Sequence, residues 1–170
     1  MKVKGKVCVV TGAAGGIGEA IARRYAREGA KGVVVADRDA ARLQAVARDI
    51  KGIAVVGDVG KEADVKHLVA EAERHYGPVD VFFSNAGIGR GGHEDATDKD
   101  WADSWAIHVM AHVYAARALV QQGRLRSPQG KFGTMRVRVQ HFQSRNCRGF
   151  AVKFPADEPR NSVALFHPRA

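Results

Sequence analysis

A chain of 170 residues, 45% hydrophobic and 26% charged, is long enough for one packed domain and holds a formal charge of +9. No segment approaches the roughly 18 consecutive apolar residues of a membrane span, and two cysteines are too few for a disulfide framework, so a reducing, cytoplasmic setting is expected. The charge is unevenly placed: residues 1–120 hold 17 Lys and Arg against 16 Asp and Glu, whereas residues 121–170 hold 10 against 2.

The opening MKVKGKVCVV runs straight into a strand-like stretch, leaving no separate apolar segment for a signal peptide. Val7-Cys8-Val9-Val10 reads as a buried strand, and Gly12, Gly15, Gly16 and Gly18 follow it. Glu19 to Gly29 then shows helical spacing, with Ile21, Ala22 and Tyr25 among its apolar positions. A glycine turn alone says little. Set between a strand and a helix, it points to a dinucleotide phosphate site. Gly12 is expected to make the tight turn, while Gly16 and Gly18 allow close approach of backbone to pyrophosphate and of helix to strand. The helix N-terminus adds unpaired N–H groups and a partial positive charge.

Gly32 to Ala36 is a second strand ending at Asp37, and Asp39 is placed to cap a helix that runs to about Ile50. Ile53 to Val56 is a third strand, closed by Gly57-Asp58-Val59. Lys61 to Tyr76 is helical until Gly77-Pro78 stops it. Val79 to Phe83 makes a fourth strand running into Ser84-Asn85-Ala86-Gly87, and a long helix follows from about Asp98 to Val120. Strands alternating with helices, three of them continuous apolar runs, predict an α/β fold: a Rossmann-type, doubly wound parallel sheet of order 3-2-1-4. Its ligand crevice falls at the C-terminal ends of strands one and four, where the glycines and Asn85-Ala86-Gly87 both lie.

Asp37 stands 19 residues beyond Gly18, where such folds place a carboxylate to accept the two ribose hydroxyls. It would repel a 2′-phosphate, so NAD is expected in preference to NADP. Arg38 moderates that preference, since a guanidinium can pair with the phosphate. Asp58 is placed to reach the adenine edge.

These motifs resemble a known family. Thr11-Gly12-Ala13-Ala14-Gly15-Gly16-Ile17-Gly18 matches the TGxxxGxG of short-chain dehydrogenases/reductases. Asp58-Val59 resembles their adenine-ring dipeptide, and Ser84-Asn85-Ala86-Gly87 their NNAG segment with serine in first place. The likeness covers about residues 4–120. It implies a cofactor site at Thr11, Gly12, Gly16, Ile17, Gly18, Asp37, Arg38, Asp58, Val59, Asn85, Ala86 and Gly87. It also implies, in intact relatives, hydride transfer between nicotinamide and a small alcohol or carbonyl substrate, and it is compatible with a homo-oligomer.

The same family does its proton chemistry with a tyrosine four residues before a lysine, aided by a serine and an asparagine. A nearby cation is what lets a phenol exchange a proton at neutral pH. Here Tyr25, Tyr76 and Tyr114 all precede the expected reaction centre, and none has lysine at the fourth following position. His108 stands where similar chains carry the asparagine. No catalytic residue is therefore assigned, and the chain is expected to bind dinucleotide weakly at best and to turn over nothing measurable. The alternative is a non-catalytic binding or interaction module whose open strand-four edge recruits a partner.

Residues 121–170 contain no isoleucine and four of the five prolines, and eight of their ten cations are arginine. They read as a basic, poorly structured tail outside the 1–120 domain, leaving the fold truncated. The abrupt change suggests a frameshifted or alternatively joined coding sequence. Met135 to Gln140 alternates like a one-sided strand able to pair on strand four. A nucleic-acid-binding arm is not expected, because no recognised module accompanies the arginines. His108 and His112 are one turn apart as zinc ligands can be, but without a third ligand they read as a helix-surface or core-edge pair.

Overall fold

The computed structural model describes residues 2–90 and 94–121. Its elements are β1 (Val7–Thr11), α1 (Gly16–Arg27), β2 (Gly32–Asp37), α2 (Ala40–Asp49), β3 (Ile53–Val56), α3 (Glu62–Tyr76), β4 (Val81–Phe83), α4 (Asp98–Trp105) and α5 (Ala111–Gln121). A π-type turn, Ala106–Met110, joins α4 to α5. The sheet is parallel in the order β3-β2-β1-β4, with Val9 opposite Val34 and Phe82, as the alternation of strands and helices predicts. Residues 122–170, including the strand expected at Met135 to Gln140, lie outside the described residues.

Continuous β-branched runs form the central strands because both faces of the sheet are covered. On one face Val9, Val34 and Phe82 pack with Val65, Leu68 and Val69 of α3 and with Ala115 and Leu119 of α5. On the other, Val10, Val35 and Phe83 meet Ala22 of α1 and Leu43 and Val46 of α2. Truncating a buried side chain such as Phe82 to alanine typically costs about 3–5 kcal/mol. Asp39 caps α2 as expected, its carboxylate accepting from the Arg42 N–H at 3.1 Å, and Gly77 ends α3 at φ +85°.

Three boundaries differ from expectation. Strand β4 begins at Val81 rather than Val79, because Asp80 turns its side chain into the ladder. Its carboxylate accepts from the Val7 N–H at 2.9 Å and from Lys6 Nζ at 3.1 Å, while its own N–H donates to the Val7 carbonyl. Helix α1 starts at Gly16 rather than Glu19, so two motif glycines belong to its first turn. The long helix is broken in phase by the π turn, and α4 buries none of its residues. Trp101 and Trp105 on α4 are 62% and 60% exposed.

Candidate functional site

The C-terminal ends of β1, β2 and β4 open into one cleft. Its first lobe, about 360 Å³, is lined by Gly12, Ala14, Gly15, Asp37, Asp39, Arg42 and Asn85-Ala86-Gly87. A second lobe continues between Arg38, Asp58, Val59, Ile88 and Ile107. Of the residues singled out in the sequence, Gly12, Asp37, Arg38, Asp58, Val59, Asn85, Ala86 and Gly87 line the cleft. Thr11, Gly16, Ile17 and Gly18 lie behind or beside it.

Steric need or backbone conformation explains each of three glycines. Gly12 has φ +65°, and a Cβ there would stand 2.7 Å from the Ala86 Cα, so the β1 and β4 loops meet only because it is absent. Gly18 has no room for a Cβ against the Gly12 carbonyl, which is the close packing of helix on loop. Gly16 differs: the space about it is open, and its glycine is explained by φ +56°. Ile17, in the first turn, is 40% exposed. No side chain caps the N-terminus of α1, which follows extended Gly15. Its first N–H groups thus carry no side-chain cap, and its partial positive charge stands next to Gly15, which lines the cleft.

Thr11 is 1% exposed and works inside the wall. Its hydroxyl accepts from the Asn85 N–H at 3.0 Å and the Ala86 N–H at 3.1 Å. The Asn85 amide answers by donating to the Thr11 and Gly12 carbonyls at 3.2 and 3.3 Å. Both side chains join β1 to the connector after β4.

Asp37 ties two loops together. Its Oδ2 accepts from the Ala14 N–H at 3.0 Å, and its Oδ1 from the N–H groups of Arg38 at 2.7 Å and Asp39 at 3.2 Å. Of about four lone-pair positions on a carboxylate, one on Oδ2 remains. As the cleft stands, Asp37 has room to accept one further hydroxyl rather than two. Asp58 is held similarly, its N–H donating to Asp64 and its carboxylate accepting from the Gly60 N–H at 3.0 Å.

Sequence reasoning missed Arg42, Ile88 and Ile107. Arg42 lies in the first turn of α2, just past the Asp39 cap that the sequence marked; the two isoleucines are brought in by the π turn and a loop, with no local pattern. The histidines were read as a surface or core-edge pair. Both are part-buried, and their rings reach into the connector after β4, His112 to Ser84 and His108 to Ile88. Among the described residues no group of three potential ligands is placed to hold a metal. The acidic residues of α4 serve its start and surface: Thr97 caps the helix, and Asp103 pairs with Arg90 and Lys99, each at 2.9 Å. Tyr25, Tyr76 and Tyr114 all pack against the hydrophobic clusters, and none lines the cleft. No described helix is long and apolar enough to cross a membrane.

Comparison with known proteins agrees with this fold. The sequence profile described as short chain dehydrogenase matches residues 6–132, running past residue 120. Versicolorin reductase 1 of Aspergillus parasiticus is 36% identical over 122 residues, covering 68% of this chain and 47% of that protein. A short chain dehydrogenase from Burkholderia cenocepacia in complex with NADP superposes with a TM-score of 0.67 at 33% identity, over 71% of this chain and 52% of that one. One from Burkholderia phymatum in complex with NAD gives 0.68 at 32% identity, over 71% and 45%. The chain spans 31% to 47% of the length of four curated relatives it matches.

Proposed function

Because the chain belongs to the short chain dehydrogenase family, we propose that its cleft holds a nicotinamide dinucleotide, NAD in preference to NADP, without completing a catalytic cycle. The observation that carries the reading is the meeting of Gly12 with Ala86 beside the Asp37 carboxylate, which leaves a groove running from the β1 turn to that carboxylate. In this reading Gly12, Gly16, Ile17 and Gly18 shape the turn that presents the α1 N-terminus to the pyrophosphate. Asp37 accepts a ribose hydroxyl, and its charge opposes a 2′-phosphate. Arg38 and Arg42, which line the two lobes, soften that opposition, so the preference is modest. Asp58 and Val59 flank the adenine, and Ala86 and Gly87 line the way toward the nicotinamide. Thr11 and Asn85 hold the groove open from behind.

When bound, the nicotinamide supplies hydride chemistry. The chain's own part would be to handle the proton of an alcohol or carbonyl substrate, and its three phenols are engaged in the core. Titration of NADH fluorescence tests the reading. NADH should bind about fivefold tighter than NADPH. Asp37→Ala should weaken NADH about tenfold, the loss expected for a charged hydrogen bond, and narrow that gap. Absence of NADH binding, or NADPH binding more tightly, would end the cofactor assignment. Steady reduction of NAD by any of a panel of secondary alcohols would end the claim of inactivity.

A further inference from the structure

We propose that His108 and His112 form a two-point clasp that positions the cleft wall Ser84–Ile88 for cofactor. The inference rests on reading the cleft as a dinucleotide site.

Residues 84–90 after β4 form neither helix nor strand, yet Asn85, Ala86, Gly87 and Ile88 line the cleft, so something must fix them. Its first half is fixed from β1 by the Thr11 hydroxyl. The histidines approach from the other side. His112 Nδ1 lies 2.7 Å from Ser84 Oγ. His108 Nε2 lies 2.9 Å from the Ile88 carbonyl oxygen and 3.4 Å from its nitrogen. The two anchors bracket Asn85-Ala86-Gly87. Gly87 makes the second one feasible, since a Cβ there would stand 3.1 Å from His108 Cε1. Beyond the clasp, Arg90 meets Asp103 at 2.9 Å, but that pair is exposed and exposed ion pairs hold weakly. The Ile88 end therefore depends on the imidazole. Ile107, beside His108 in the π turn, lines the same lobe as Ile88, so the turn supplies both an apolar wall and the hydrogen bond that sets the opposite one.

These are positioning residues, and the test must separate positioning from folding. NADH affinity and thermal unfolding are measured in parallel on the full chain. His108→Ala should weaken NADH about tenfold, the effect of losing the part-buried contact to Ile88 on an aligned wall. His108→Asn should restore affinity to within about twofold, because an amide offers a donor to the Ile88 carbonyl and an acceptor to its N–H. Ser84→Ala and His112→Ala should each weaken NADH about threefold, and the double variant no further than His112→Ala alone, since both changes delete the Ser84–His112 bond. If His108→Ala does not fold, Ser84→Ala carries the test, as it removes a single oxygen. Unchanged NADH affinity in these variants, or His108→Asn no better than alanine, would overturn the clasp while leaving the dinucleotide reading intact. A wild-type chain that binds no NADH would instead remove the reading beneath it.

Discussion

The two walls of the cleft are built on opposite principles. The wall after β1 is shaped by missing side chains: Gly12 lets the loops touch, Gly16 takes a left-handed turn and Gly18 lets the helix close on the loop. The wall after β4 is held by side chains arriving from elsewhere, Thr11 from β1, His108 from the π turn and His112 from α5. The first fails when something is added. The second fails when something is taken away.

That contrast can be tested from its strongest side downward. Gly18→Val drives a branched side chain into the Gly12 carbonyl, where backbone cannot yield cheaply. It should cost about 3 kcal/mol or more, read as a collapse of the urea midpoint. A folded variant with wild-type stability would mean that the first wall is not sterically closed. Thr11→Val keeps the shape and removes only the hydroxyl, leaving two N–H groups without their acceptor. About 2 kcal/mol should be lost, and a loss no larger than that of an exposed threonine would show that the second wall has other supports.

Cys8 belongs to neither wall and gives the baseline. Burial, then the Asp80 carboxylate, pushes its thiol from 9.0 up to about 12, with Lys6 opposing. A group whose pKa is raised by folding contributes its stability fully below the unfolded value. That stability is then lost as pH climbs from 9.0 toward about 12. Between those limits wild type should lose about 1.4 kcal/mol per pH unit relative to Cys8→Ala. Parallel stability curves for the two proteins would show that the β1 core admits the thiolate.

The walls were also unequally legible in the sequence, for the same reason. Glycines at short spacing after Val7–Val10 are a local pattern, and local patterns fixed the strands, their order and most of the groove. Asp80 was read as part of β4, because nothing nearby shows that its carboxylate will occupy the Val7 N–H. The histidine contacts span 20 and 28 residues. Their partners are a backbone group and a serine, neither of which announces itself. Ile107 enters the cleft through a π turn, a change of helical phase that apolar spacing does not encode. Gly16 was marked for close approach to a phosphate; its φ of +56°, which also favours glycine, is invisible in a string of letters.

Helix α4 carries both of the chain's tryptophans, and each has about three-fifths of its surface in water. The intrinsic ultraviolet emission of this protein is therefore a report from one outlying helix rather than from the sheet. Melting of the core would scarcely shift its wavelength, because the indoles are already wet. A molecule settling on α4 would turn the emission blue at once, with no label added.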